Sequence, residues 1–311
     1  MKLTHFVLTL FLACGFAGFA FAQKIEQKPF EVRVNVNVTD AAGNPVGDVK
    51  LEDLKVFEDG VEQKITYFVK KEPTLNLGLI FDNTGSMRIQ LDTITATGKS
   101  IVENLRAGDE AFEVRFVDSE TTTVWEDWSS DKARLKKGIE NLYIEGGQSS
   151  ILDAVYLAST KILAREKKDA SKRCALILIT DGEDRKSYVN LQQTLALLKD
   201  SGMQIFVLGL VGDFDKSGRQ VSEDFSNRLA FATGGTAFFI KNSLPDKAIP
   251  EAAEALKSLM TELRSQYVIG YTSTNQKRNG KPRTLRIEAA GNEKGEKRQG
   301  TIRANFVVPK D

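Results

Sequence analysis

Histidine is all but missing from this chain, and cysteine is nearly as scarce: His5, Cys14 and Cys174 are the only copies in 311 residues. Two of the three sit in an unusual leader. Phe6 to Phe21 is almost entirely apolar or small, follows a lone Lys2, and ends in Ala20-Phe21-Ala22 before the polar Gln23. A basic start, a short apolar stretch and an A-x-A site read as an export signal cleaved after Ala22. Cleavage removes His5 and Cys14. The mature chain then has no histidine and a single thiol. That excludes Ser-His-Asp and Cys-His nucleophilic sites, His-ligated zinc and any intrachain disulfide. Cys174 opens an apolar run, so it is expected to be buried and inert.

Long apolar runs are lacking too. The leader is too short and too abruptly ended for a comfortable bilayer span, so no membrane span is expected in the mature chain. An uncleaved anchor is the alternative. A lipid-modified Cys14, in Ala13-Cys14-Gly15, is another, although apolar sequence continues past it. Nor is there an excess of either charge: 43 basic and 42 acidic residues leave a formal net charge of +1. Nothing global directs the chain to nucleic acid or to a membrane surface. The expected destination is the periplasm, the cell surface or the medium.

The remaining sequence divides by its periodicity. Val32, Val34, Val36 and Val38 alternate with Arg33, Asn35 and Asn37, the period-two pattern of a half-buried strand. Further short strands are expected at Leu54 to Phe57 and Ile65 to Val69. From Leu75 the pattern changes to apolar strands alternating with helical spacing, which predicts an α/β, doubly wound, mostly parallel six-stranded sheet of Rossmann-like form. Its strands are expected at Leu75 to Phe81, Phe112 to Phe116, Thr121 to Trp125, Cys174 to Thr180, Gln204 to Leu210 and Thr236 to Ile240. Helices are expected between them, one running from Met87 to Leu105, with a long last one at Asp246 to Arg264. Strand patterns return at Tyr267 to Tyr271, Leu285 to Ala289 and Thr301 to Val307. The expected organisation is therefore a signal over 1–22, a β segment over 23–72, an α/β domain over 73–266, and a second β segment over 267–311 that pairs with the first.

Two apolar strands end in aspartate, Gly78-Leu-Ile-Phe-Asp82 and Leu176-Ile-Leu-Ile-Thr-Asp181. Ligands of open parallel sheets sit at the carboxyl ends of strands. Two carboxylates brought there repel each other unless a positive charge compensates, and a divalent cation can supply it. Thr84 and Ser86 follow Asp82 at i+2 and i+4, with Gly85 between them to let the loop turn. Oxygen-only donors of this kind suit Mg²⁺, with Mn²⁺ or Ca²⁺ as alternatives.

Asp82-x-Thr84-x-Ser86 resembles the D-x-S-x-S signature of the metal-ion-dependent adhesion site of von Willebrand factor type A domains. Gly146-Gly147-Gln148-Ser149-Ser150-Ile151-Leu152-Asp153-Ala154 is similar to the second motif of that family, with Ser149 where threonine is usual. Thr180-Asp181-Gly182 is similar to the third. The resemblance covers about Leu75 to Arg264. The flanking segments, with Val-x-Val-x-Val, Phe-Glu-Asp-Gly and Ser-Gln-Tyr-Val-Ile-Gly-Tyr, are similar to bacterial secreted members. It implies that Thr84, Ser86 and Ser149 offer oxygens to one divalent cation, that Asp82 and Asp181 act through waters or hydrogen bonds, and that Asp153 supports the loop. It also implies a non-enzymatic binding or scaffold module that takes an Asp or Glu of a protein partner as the ion's last ligand. Thr84 for serine and Ser149 for threonine each keep a hydroxyl.

Several plainer readings stand beside these. Asp82 and Asp181 could be helix-capping or turn residues. A phosphohydrolase of the haloacid dehalogenase type also places an aspartate after an apolar strand, but it needs a second acid where Thr84 stands. The ion could be purely structural, with the β module as binder. Glu183 and Asp184 are expected in a solvated loop, Asp213 to Gly218 in an exposed turn, and the basic residues from Lys277 to Arg303 on exposed hairpins. Trp125 and Trp128 are expected half-buried at an edge strand.

Overall fold

The computed structural model describes residues 29–41, 46–71, 74–166, 172–201, 203–264, 266–291, 295–302 and 305–307. The expected export signal and its Ala22 cleavage site lie outside them, as do Lys294 and Arg303. Chain order begins with four strands, β1 (Glu31–Asp40), β2 (Leu54–Glu58), β3 (Val61–Gln63) and β4 (Ile65–Lys71). The middle of the chain then runs β5 (Leu75–Asp82), α1 (Leu91–Glu103), β6 (Glu110–Phe116), β7 (Thr123–Ser129), α2 (Lys132–Glu140), α3 (Ile151–Glu166), β8 (Arg173–Thr180), α4 (Leu191–Ser201), β9 (Gln204–Leu210), α5 (Lys216–Phe231), β10 (Ala237–Ile240) and α6 (Pro245–Arg264). It closes with β11 (Gln266–Thr272), β12 (Pro282–Ala289), β13 (Arg298–Thr301) and β14 (Asn305–Val307).

The central sheet has six strands in the order β10-β9-β8-β5-β6-β7. All neighbours are parallel except β6 and β7. Every residue of β5 and of β8 is buried, because helices cover both faces of these strands. Period-two alternation distributes their side chains between two cores. Leu77, Leu79 and Phe81 pack with α1, α2 and α6, whereas Ile80, Leu176 and Leu178 pack with α3, α4 and α5. Strand order reverses between β5 and β8, which opens a crevice between their carboxyl ends. Asp82 closes β5, and Thr180 closes β8 with Asp181 directly after it.

The two chain ends build one antiparallel sandwich. Its sheets are ordered β13-β1-β11-β4 and β14-β12-β2-β3. β1 pairs with β11, so the N-terminal and C-terminal β segments share a sheet, as expected from the sequence. Val32, Val36, Leu54, Val56, Ile269 and Ile287 are among the residues of its core. A charged cluster lies inside the same module. Buried Glu58 accepts hydrogen bonds from Arg283, from the Tyr271 hydroxyl at 2.8 Å and from the Ser273 hydroxyl at 2.7 Å. The sandwich meets the α/β domain at the end of α6, where Glu262 accepts from Asn37 Nδ2 at 3.2 Å and from the Thr236 hydroxyl at 2.9 Å.

Several expectations are corrected. The segment from Met87 does not open a helix: Gly85–Arg88 is a 3-10 turn, and α1 begins at Leu91. The turn expected over Asp213 to Gly218 contains a helix start, because Asp215 caps α5 by accepting from the Gly218 N–H at 2.7 Å. The basic C-terminal segment is not uniformly solvated. Arg283 is buried against Glu58, and Arg298 pairs with Asp48 at 2.7 Å with only 5% of its side chain exposed. Trp125 and Trp128 are half-buried on the edge strand β7, and Cys174 is buried and in no disulfide. Among the described residues, no helix is long and apolar enough to cross a membrane.

Candidate metal centre

The site rises from the β5 and β8 ends. Asp82 is wholly buried, and both its carboxylate oxygens are engaged. Oδ1 accepts from the Thr84 N–H at 3.0 Å and from the Thr84 hydroxyl at 2.6 Å; Oδ2 accepts from the Thr180 hydroxyl at 2.6 Å. The Thr84 and Ser86 hydroxyl oxygens are 3.1 Å apart, and Ser86 lies close enough to the Asp181 carboxyl to lower it. Asp82, Thr84 and Ser86 form one hydrogen-bonded group, which Thr180 ties to the end of β8 beside Asp181.

The third loop joins them through its backbone. The Ser149 carbonyl accepts from the N–H groups of Arg185 at 2.8 Å and Lys186 at 3.0 Å, which lays the segment before α3 against the segment after Asp181. The Ser149 hydroxyl oxygen is itself buried and has no hydrogen-bond partner. A buried hydroxyl without a partner costs free energy comparable to a lost hydrogen bond, so an oxygen left this way marks room for a further group.

Burial dominates the electrostatics. It pushes the Asp82 carboxyl up to about 7, with the Asp181 charge adding to the shift and the donors from Thr180 and Thr84 opposing it. Asp181 is raised as well, first by burial, with nearby Ser86 opposing the shift. Among the described residues, no basic side chain bonds either acid. Arg185 lowers Asp181 through space, but its guanidinium is paired with Glu183. Two buried carboxyls with hydroxyl donors and no resident cation fit a divalent ion. A Thr84 hydroxyl that donates its proton to Asp82 keeps its lone pairs for such an ion. The donor set is hydroxyl-rich: among the described residues, no group of three or more Asp, Glu, His or Cys side chains is placed to hold a metal. Both Asp82 oxygens being occupied also leaves it poorly placed to act as a nucleophile.

The supporting residues behave unequally. Asp153 accepts from the N–H groups of Tyr188 at 3.0 Å and Val189 at 2.9 Å, so its carboxylate braces the loop between β8 and α4. Gly85 is not at a positive φ, and a Cβ there would meet nothing within 4 Å. The turn itself therefore does not require glycine. Gly182 does require it: φ is +84°, and a Cβ would lie 2.4 Å from the Ser222 hydroxyl. Asp184 is a correction to the solvated-loop expectation, because its carboxylate accepts from the Leu152 N–H at 3.2 Å and the Ser187 hydroxyl at 2.6 Å, at the start of α3.

Sequence reasoning missed three residues. Thr180 holds Asp82 from the neighbouring strand. Asn83 ties the first loop to β6 through its N–H on the Phe116 carbonyl at 2.9 Å, and to Tyr143 through Nδ2 at 3.0 Å. The Ser222 hydroxyl in α5 donates to the Asp181 carbonyl. Thr180 and Asn83 adjoin the two aspartates, and that adjacency was a usable signal. Nothing local marked Ser222, 41 residues away from its partner.

A model of the von Willebrand factor type A domain matches residues 76–265. No curated protein matches the chain by sequence. Similar solved structures include an aerotolerance-related membrane protein from Bacteroides fragilis NCTC 9343, 20% identical over 61% of this chain and 98% of that one, with a TM-score of 0.47. A von Willebrand factor type A protein from Catenulispora acidiphila is 14% identical over 92% of this chain and 74% of its own, with a TM-score of 0.49. Proximal thread matrix protein 1 from the mussel byssus, with zinc in its MIDAS motif, is 18% identical over 67% of this chain and 50% of its own, with a TM-score of 0.50. At this identity the likeness to the mussel protein is one of fold alone.

Proposed function

The chain belongs to the von Willebrand factor type A family, and on that premise we propose that it is an exported, non-enzymatic protein-binding module whose grip depends on a divalent cation. The observation that carries this reading is the buried, unpartnered Ser149 hydroxyl, on a segment bonded to the loop that follows Asp181. Thr84, Ser86 and Ser149 would hold the ion with their hydroxyl oxygens. Asp82 and Asp181 would balance its charge, Asp82 from behind the Thr84 hydroxyl. Mg²⁺ is the ion such oxygen donors fit best, with Mn²⁺ or Ca²⁺ as substitutes. A bound cation supplies an open coordination position for an Asp or Glu carboxylate of a protein partner. Hydroxyl donors carry no negative charge, so they leave that position attractive to an anion. The mussel protein with zinc in its MIDAS motif gives a precedent for metal in this family.

Export rests on the leader and its A-x-A site, and the working organisation is the signal, the α/β domain at 73–266 and the sandwich assembled from 23–72 and 267–311. The test uses the mature chain and its Asp82→Ala, Ser86→Ala double variant, immobilised and exposed to envelope extract with Mg²⁺ or with chelator. Partner proteins should be retained by the unaltered chain with Mg²⁺, and lost with chelator or in the double variant. Retention of the same proteins by the double variant sinks the proposal.

A further inference from the structure

We propose that Thr180 is a positioning residue that selects which cation the site accepts, an inference that rests on the cation-binding reading above. The Thr180 hydroxyl has two partners. It donates to Asp82 Oδ2 at 2.6 Å and accepts from the Gly182 N–H at 3.1 Å. One oxygen on β8 therefore holds the acid that ends β5 and the backbone of the loop that follows β8. It does so where no solvent reaches, since Thr180 and Asp82 are both 0% exposed.

This arrangement fixes what Asp82 can do. Oδ1 is held by Thr84 and Oδ2 by Thr180, so the carboxylate cannot swing toward the Thr84–Ser86 hydroxyl pair without stranding the buried Thr180 proton. Asp82 stays behind Thr84, and few anionic oxygens face the ion. Mg²⁺ keeps several waters and takes one or two carboxylates, whereas Ca²⁺ collects about six to eight oxygens and accepts bidentate carboxylates. A restrained Asp82 favours Mg²⁺. A released Asp82 offers the second kind of donor and favours Ca²⁺. Thr180 touches neither ion in this account; it acts through Asp82.

The test measures Mg²⁺ and Ca²⁺ affinities of the mature chain by titration calorimetry, beside its melting temperature in chelator. In Thr180→Val the Mg²⁺ affinity should fall roughly tenfold or more, in the range seen when groups behind a metal ligand are lost, while Ca²⁺ affinity holds or rises. Thr180→Ser, which keeps the hydroxyl, should retain the unaltered ratio. Should Thr180→Val not fold, Thr180→Cys replaces it, because a thiol is a weak donor of similar size. Parallel weakening of both ions, or an unchanged ratio in a folded variant, overturns the inference and leaves Thr180 a structural residue. An unaltered chain that binds neither ion overturns the cation reading itself, which is a distinguishable result.

Discussion

Two buried carboxylates, Asp82 in the α/β domain and Glu58 in the sandwich, solve the same problem differently. Glu58 has a cation of its own. Arg283 lies against it with 3% of its side chain exposed, and the Tyr271 and Ser273 hydroxyls also donate to it. The charge of that acid is balanced by the chain itself. Asp82 has only an N–H and two hydroxyls, and its neighbour Asp181 is a second acid. Both Asp82 and Asp181 are accordingly pushed upward by burial. A buried acid with a resident arginine builds structure; a pair of buried acids without one is poised for an ion from solution.

The largest effect should come from breaking the Glu58 cluster. Arg283→Met leaves Glu58 buried without its cation and should cost on the order of 3–5 kcal/mol in urea unfolding, whether or not Mg²⁺ is present. A loss below about 1 kcal/mol would show that the sandwich acid does not depend on its arginine.

A third acid sharpens the contrast. Glu113 on β6 is fully buried, both its oxygens lack partners, and it lies opposite Glu126 on β7 beneath Gly138 of α2. Burial, with Glu126 adding, raises it from 4.5 to about 8. The buried group is neutral over much of that range while the unfolded chain ionises. Its contribution to stability is therefore complete below about pH 4.5 and is lost as pH rises toward about 8. Glu113→Gln should remove this slope from the unfolding free energy and stabilise the protein at pH 8 by up to a few kcal/mol. An unchanged slope in that variant would mean the acid is hydrated in solution.

The smallest of the three tests the open site directly. Mg²⁺ in hundredfold excess over its dissociation constant should stabilise the folded chain by about 2.7 kcal/mol. Thermal unfolding should register this in the unaltered protein and not in the Asp82→Ala, Ser86→Ala double variant. A rise of equal size in both would place the ion elsewhere.

The same comparison explains what could be read ahead of the structure. β5 and β8 were legible because strands covered on both faces are continuously apolar, and the aspartates ending them were legible because each closes such a run. Asp82, Thr84 and Ser86 lie within five residues, so their grouping was local. The Glu58 cluster was invisible: Arg283 is 225 residues from its partner and sat in a stretch whose charges read as a solvated hairpin. Asp184 was misread for a related reason, since a carboxylate satisfied by a backbone N–H and a neighbouring hydroxyl looks in sequence like one satisfied by water.

The sequence by itself determined the alternation of strands and helices, the β pattern at both ends, and the loops that carry hydroxyls and acids. Those follow from periodicity and from turn chemistry, which act over a few residues. Tertiary structure alone decided that Thr180 restrains Asp82, that Ser149 is buried with a free hydroxyl oxygen, and that Arg283 rather than solvent meets Glu58. Each depends on strands or loops far apart in the chain being brought within hydrogen-bond distance, and on water being excluded when they meet. Neither condition is written in any short stretch of residues.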